Sequence, residues 1–302
     1  MLHAVDDVSF TIGKGKTLGV VGESGCGKST TGRAILRLLE PTGGKVLFEG
    51  EDVARLNTNA LRKKRKEMQI IFQDPFSSLN PRKTISQTIE EPLVLHGMIP
   101  DKKKRQQRVA ELMDTVGLAR RLYNTYPHEL DGGRRQRVGI ARALAVDPKF
   151  IVCDEPVSAL DVSIQAQILN LMKNLQKEFG LTYLFITHDL SVVYHFSDDI
   201  AVMYLGKLIE KASADDLFAA PKHPYTKALL SAIPVPSLHD RGERIIMKGE
   251  ITSPINPKPA CRFEGRCPSA MDCCRAAEPK LVEVAPGHAT ACFLHSDARQ
   301  GE

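Results

Sequence analysis

The stretch TLGVVGESGCGKST, Thr17 to Thr30, carries the clearest chemistry in the chain. Gly22–Thr30 fits the spacing G-x-x-x-x-G-K-[ST], placed after an apolar run and at the start of a helical pattern. Gly22, Gly25 and Gly27 let the backbone wrap a phosphate chain together with Glu23, Ser24 and Cys26. Lys28 supplies a cation for the outer phosphate oxygens, Ser29 an oxygen ligand for Mg²⁺, and Thr30 closes the motif. The Cys26 thiol is incidental to phosphate binding, but it offers an alkylating reagent a way to block the loop. Further on, FIVCDEP (Phe150–Pro156) ends an apolar strand in two carboxylates. Asp154 can hold the Mg²⁺ shell, and Glu155 can polarise an attacking water as a general base. His188, in LFITHD, closes another apolar strand, where a parallel sheet delivers functional side chains.

A second glycine turn poses a question. YPHELDGGRRQRVGIARAL (Tyr126–Leu144) opens a helix with Gly132 and Gly133, the kind of N-terminus that receives an anion. The residue before the pair is Asp131, itself an anion, and Arg134 and Arg135 follow. Asp is a good N-cap, so the helix should form. Its carboxylate nevertheless competes with any phosphate for the same N–H groups. A charge pair at ~4 Å and an effective dielectric of ~20 repels by about 4 kcal/mol. Pairing of Arg134 or Arg135 with Asp131 or with the phosphate would offset part of that.

Positioning these residues takes an alternating fold. TLGVV, EMQIIFQD, KFIVCDEP and TYLFITHD read as buried strands, and GGKVLFEGEDV as a hairpin. A helix from Lys28 to about Leu39, a helical stretch from about Thr84 to Tyr123, and the amphipathic SIQAQILNLMKNLQKEFG alternate with them. Apolar strands alternating with helices predict a parallel sheet covered by helices. Beyond about Phe218 the core pattern fades and Pro and Gly rise. The 302 residues, 42% of them hydrophobic, suffice for one large α/β domain and a smaller appendage. No apolar run reaches the ~18–20 residues of a membrane span, and no secretory leader pattern opens the sequence.

The net charge is +5, concentrated in LRKKRKE (Leu61–Glu67) and DKKKRQQR (Asp101–Arg108). A solvated helix face is the plain reading, with contact to anionic lipid or a partner as the sharper one. Nucleic acid is not expected, because no aromatic residues interleave with either run. Of the seven cysteines, Cys261, Cys267, Cys273, Cys274 and Cys292 crowd the tail. Such a cluster in a reducing compartment favours metal over disulfides, and four thiolates suit either a [4Fe–4S] cluster or tetrahedral Zn²⁺. His288 and His295 are reserve zinc ligands.

Taken in chain order, Gly22–Thr30, IIFQD with Gln73, LDGGRRQR, VCDEPVSALD and FITHD resemble the ATP-binding cassette ATPases over residues 5 to about 215. The resemblance implies a P-loop NTPase of the α/β class: a parallel sheet flanked by helices, an antiparallel β subdomain, and a helical signature lobe over about 84–145. It implies that Gln73 reaches the Mg²⁺ and senses a membrane partner. It also makes His188 the switch histidine, and Ser158–Asp161 part of a dimer interface. ATP would be sandwiched between two such domains, the signature turn of one capping the γ-phosphate of the other. The family signature reads Leu-Ser-Gly-Gly-Gln, so Asp131 and Arg134 depart from it. The hydroxyl bond lost with the Ser is worth roughly 1–3 kcal/mol. The expectation is an impaired cap: a site built on this chain's own loop hydrolyses ATP, and the reciprocal site turns over slowly. The family also carries an aromatic residue roughly twenty positions ahead of the loop to stack on adenine. The sequence opens MLHAVDDVSF without one there, His3 is a poor substitute, and weaker ATP affinity is expected.

HPYTKALLSAIPVP (His223–Pro236), the stretch Cys261–His295 and FQDPFSSLNPR resemble the oligopeptide/dipeptide importer ATPases. The domains implied are a nucleotide-binding domain at 1–218 and an importer-type extension at 219–302. In that subfamily pattern Cys274 precedes RAAEP, which selects Cys261, Cys267, Cys274 and Cys292 and tips the choice to iron–sulfur, as a structural staple for a tail with few aromatics. The implied role is ATP hydrolysis energising uptake of peptides, or of a small solute such as a nickel chelate. The implied partners are a second, non-identical ATPase, two transmembrane permease subunits and an extracytoplasmic solute-binding protein. The chain would then sit peripherally on the cytoplasmic face of the cell membrane. The rival expectation is a nucleotide-gated regulatory subunit, or a non-transport cassette ATPase, with low turnover from its LDGGR signature.

Overall fold

The computed structural model describes residues 1–233, 244–247, 249 and 253–295. Pro234–Pro236, the end of the His223–Pro236 stretch, lie outside them. By contacts the chain divides into two units: Met1–Ile12, Thr17–Thr31 and Thr187–Glu302 form one, and Gly13–Lys16 with Gly32–Ile186 form the other.

The apolar run after Lys16 becomes β1 (Thr17–Val21), buried at every residue. The loop after it delivers α1 (Lys28–Ile35). This helix stops short of Leu39 because Arg37 turns left-handed at φ +50° and the Leu38 N–H returns to the Arg33 carbonyl at 2.8 Å. The expected hairpin is β2 (Leu47–Phe48) with β3 (Glu51–Asp52). Glu49 and Gly50 make its turn, both at positive φ, the geometry that matches strand twist.

The second unit continues with α2 (Thr58–Lys64), β4 (Met68–Ile71), α3 (Ile85–Leu95), α4 (Lys102–Thr115), α5 (Gly132–Leu144), β5 (Phe150–Asp154), α6 (Val162–Phe179) and β6 (Thr182–Ile186). Strands β4, β5 and β6 pair in parallel, Met68 beside Phe150 and Asp154 beside Ile186. Parallel strands covered by helices have no wet face, and β5 is accordingly buried throughout. Helices α3, α4 and α5 pack on one another, and α5 also on α6. The helical stretch predicted over Thr84–Tyr123 is thus broken after Leu95, where Gly97 takes a positive φ and Pro100 follows.

The first unit adds α7 (Leu190–Phe196), β7 (Asp199–Tyr204), β8 (Lys207–Ser213), α8 (Ala214–Ala219), α9 (Pro224–Ser231), α10 (Asp272–Ala276), β9 (Val282–Ala285) and β10 (His288–Thr290). β1 runs parallel to β7; β8, β10 and β9 follow antiparallel. The tail differs from its expected character. It joins the core: Tyr225 and Phe263 are buried against Tyr204, with ring centroids 4.8, 5.3 and 5.4 Å apart in T-shaped pairs. Few aromatics suffice here because the tail adds them to apolar residues of β1, β7 and β8. Aromatic pairs of this kind add about 0.5–1.5 kcal/mol each beyond the area they bury. Beside them the wholly buried Glu210 carboxylate accepts the Lys222 and His223 N–H groups at 2.6 and 2.9 Å and meets His288 Nε2 at 2.7 Å.

Candidate active site

The phosphate loop lies in the first unit. Lys28 is 5% exposed, and its ammonium donates to the Gly22 and Glu23 carbonyls at 2.7 and 3.0 Å. A side chain at Gly27 is excluded twice over: φ is +102°, and a Cβ would stand 2.2 Å from the Ala4 carbonyl oxygen. Ser24 and Gly25 are exposed; Ser29 and Thr30 are half-buried at the start of α1. Cys26 is buried, and burial raises its thiol pKa, so alkylation there is slow rather than easy. In the same unit the Thr187 N–H donates to the Val20 carbonyl at 3.1 Å, and His188 follows it, exposed, just before the α7 cap Asp189.

The acidic pair lies in the second unit. Asp154 is buried, with the Arg33 guanidinium 3.6 Å away. Glu155 takes a left-handed backbone at φ +48°, held by its N–H on the Ile186 carbonyl at 2.9 Å. A non-glycine residue in that region is strained, and strain of this kind gathers where a side chain must be aimed. Gln73 Nε2 donates to Glu155 Oε2 at 2.9 Å. The sequence gives no signal for this contact, since the partners come from different loops.

At the signature turn, Asp131 Oδ1 accepts the Arg134 N–H at 2.7 Å, and Oδ2 meets the Arg134 guanidinium at 3.2 Å. Arg135 takes no part: its Nε donates to the Pro127 carbonyl, and its guanidinium lies over the Phe76 ring. Gly132 is half-buried and Gly133 buried; a Cβ on Gly133 would meet Ile164 Cγ2 at 2.6 Å. Asp161 caps α6 by accepting the Ile164 N–H at 3.0 Å.

In the tail, the Cys261 N–H donates to the Cys274 carbonyl at 2.9 Å. Burial pushes the Cys261 thiol up to about 12, with the charges of Cys274, Cys292 and Cys267 adding to it. Burial also raises Cys267, Cys274 and Cys292. The donor chemistry fits a thiophilic metal, whose charge would let the four thiols ionise against the burial that now keeps them protonated. Among the described residues, however, no group of three or more His, Cys, Asp or Glu side chains stands in ligating geometry. The reserve histidines are engaged elsewhere, His288 with Glu210 and His295 with the Lys222 carbonyl.

A lysine-bearing glycine loop between strand and helix, with a buried Asp closing a parallel strand, defines a P-loop phosphate-binding α/β protein. The family profile described as ABC transporter matches residues 5–158, and that of the oligopeptide/dipeptide transporter C-terminal region matches residues 209–274. The oligopeptide transport ATP-binding protein AppF of Bacillus subtilis is 54% identical over 98% of this chain and 90% of its own length. The cassette MJ0796, solved as a dimer after hydrolysis with ADP and Pi bound, aligns with TM-score 0.64 at 33% identity over 70% of this chain and 90% of that one. CbiO1 of Clostridium perfringens, part of the transporter complex cbiONQ, aligns at 0.66 and 28% identity, covering 72% and 84%. The chain belongs to the ABC transporter family and is an ATP-binding cassette ATPase. Its C-terminal region is of the oligopeptide/dipeptide type.

Proposed function

We propose that this chain is the ATP-hydrolysing subunit of an importer of di- or oligopeptides. The observation that carries the proposal is the succession of a cassette match at 5–158 and an oligopeptide/dipeptide match at 209–274 in one chain. The backbone of Gly22–Thr30 wraps the phosphates, and Lys28 leaves its loop carbonyls for the outer phosphate oxygens. Ser29, Gln73 and Asp154 are the residues that would hold Mg²⁺ through their oxygens, and the chemistry it would supply is neutralisation of charge on the phosphates. Glu155 orients a water and draws its proton as the water oxygen bonds to the γ-phosphorus and the bond to the bridging oxygen breaks. His188 contacts the γ-phosphate. Gln73, bonded to Glu155, links that carboxylate to the loop that faces a membrane partner.

Asp131, Gly132, Gly133 and Arg134 cap the ATP held by the other cassette. Because Asp131 already fills the first turn of its helix, that reciprocal site is the weaker one. This favours pairing with a non-identical ATPase whose signature serves this chain's own loop. No helix among the described residues is long and apolar enough to cross a membrane, so two permease subunits would provide the passage and a solute-binding protein the delivery. The chain then sits on the cytoplasmic face of the membrane. The nucleotide-binding domain runs over 1–218 and the extension over 219–302, in which Cys261, Cys267, Cys274 and Cys292 would hold a [4Fe–4S] cluster, with Zn²⁺ as the alternative, once their side chains are drawn into ligating geometry.

The test is peptide uptake by the assembled transporter in vesicles. Lys28→Ala abolishes ATP-driven uptake, and Glu155→Gln binds ATP without hydrolysing it. Uptake at the wild-type rate with Lys28→Ala overturns the proposal.

A further inference from the structure

Glu23, the second residue of the phosphate loop, is held at three points. Its carbonyl accepts from Lys28 Nζ at 3.0 Å. Its N–H donates to Tyr225 Oη at 3.0 Å. Its carboxylate receives both terminal nitrogens of Arg266, at 2.7 and 3.1 Å. The first tether is internal to the loop; the other two come from the C-terminal region, from α9 and from the short turn Glu264–Arg266.

Neither holder can swing away freely. Tyr225 is fully buried, its ring wedged edge-on between Tyr204 and Phe263. Arg266 has a side chain only 10% exposed, its Nη1 lies 3.5 Å from Tyr204 Oη, and its N–H donates to the Phe263 carbonyl at 3.0 Å. The hydrogen bonds to Glu23 raise the pKa of the guanidinium above its ordinary value. A two-pronged, charge-assisted pair fixes direction as well as distance, unlike an exposed ion pair whose partners wander.

We propose that Arg266 and Tyr225 are positioning residues for ATP. They hold the Glu23 peptide so that Lys28, resting on the Gly22 and Glu23 carbonyls, is already poised for the phosphates. Binding then costs little ordering of the loop, and affinity is set by how firmly Glu23 is held. The inference rests on the proposed role of the Lys28 loop in binding ATP. It gives the C-terminal region a share in the nucleotide site that the phosphate-loop motif does not contain.

The test is the KM for ATP and the kcat of the assembled transporter, with binding of a fluorescent ATP analogue to the full chain alongside. Arg266→Met is expected to raise KM and analogue Kd about tenfold, and Tyr225→Phe about threefold, each with kcat changed less than about twofold. Arg266→Lys restores part of the loss, and the exchange Glu23→Arg with Arg266→Glu restores more than either change alone. Tyr225→Phe keeps the buried ring and decides the matter if Arg266→Met does not fold. Wild-type KM in Tyr225→Phe and Arg266→Met, or a loss confined to kcat, overturns the inference while Lys28→Ala still abolishes analogue binding. Unimpaired analogue binding by Lys28→Ala takes down the reading of the loop and the inference with it.

Discussion

Both oxygens of the Asp131 carboxylate are committed in the structure, one to the Arg134 N–H and one to the Arg134 guanidinium. A phosphate approaching this turn must displace a bonded anion and also accept its repulsion. Replacement by Ser keeps a cap of equal rank and removes the charge. Asp131→Ser is therefore expected to leave stability within about 0.5 kcal/mol and to raise ATP hydrolysis by the assembled transporter. An unchanged or lower phosphate-release rate counts against the repulsion argument. Glu155 gives the opposite case. Glu155→Gln keeps an acceptor for the Gln73 amide but cannot take a proton, and hydrolysis should fall by about 10²–10⁴-fold while ATP binding persists. Single-turnover measurement separates the two steps.

Among the elements, α5 is held closely because its first turn lies against α6. Gly133→Ala brings a methyl to 2.6 Å from Ile164 Cγ2, an overpacking worth about 1–3 kcal/mol, and Ile164→Ala in the same chain should relieve part of it. Thermal melts of the three variants check this. The basic runs on α2 and α4 are less a free patch than their composition suggests. Arg62 and Lys66 donate to the Leu95 and His96 carbonyls at the end of α3, Arg105 pairs with Glu90 on α3, and Arg108 with Asp147, so these cations tie elements together inside their own unit. α9 depends on pH. His223 caps it with Nδ1 accepting the Tyr225 N–H, and burial, with His295 adding, pushes its pKa down to about 3. The unfolded chain binds that proton near 6.5, so the contribution is complete above pH 6.5 and is lost as pH falls toward 3. The slope is at most about 1.4 kcal/mol per pH unit. His223→Asn, which keeps an acceptor but does not titrate, should flatten the acid side of the unfolding profile.

For the whole molecule, the tail is part of a core and of a loop. Removing residues 260–302 takes away Phe263, Arg266 and β10 together, exposing Tyr204, Tyr225 and the edge of β8. The shortened chain should melt lower and bind ATP more weakly, rather than behave as an intact cassette without an accessory; unchanged melting would refute this. If the four tail cysteines carry iron and sulfide, anaerobically purified protein should absorb visible light and contain iron, whereas a colourless zinc protein would exclude the cluster. The motif residues were legible from spacing because phosphate wrapping demands glycine, lysine and hydroxyl at fixed intervals along one loop. The strands were legible because a parallel sheet buries both faces and so demands continuous apolar runs. Helix ends were less so: Arg37 ends α1 through a backbone conformation that no periodicity announces. Hidden altogether were contacts between distant segments, Gln73 with Glu155 and Glu23 with Tyr225 and Arg266. Local sequence fixes what a segment can do because those demands act within a few residues. Which groups meet depends on how the chain packs, and only the tertiary structure settles that.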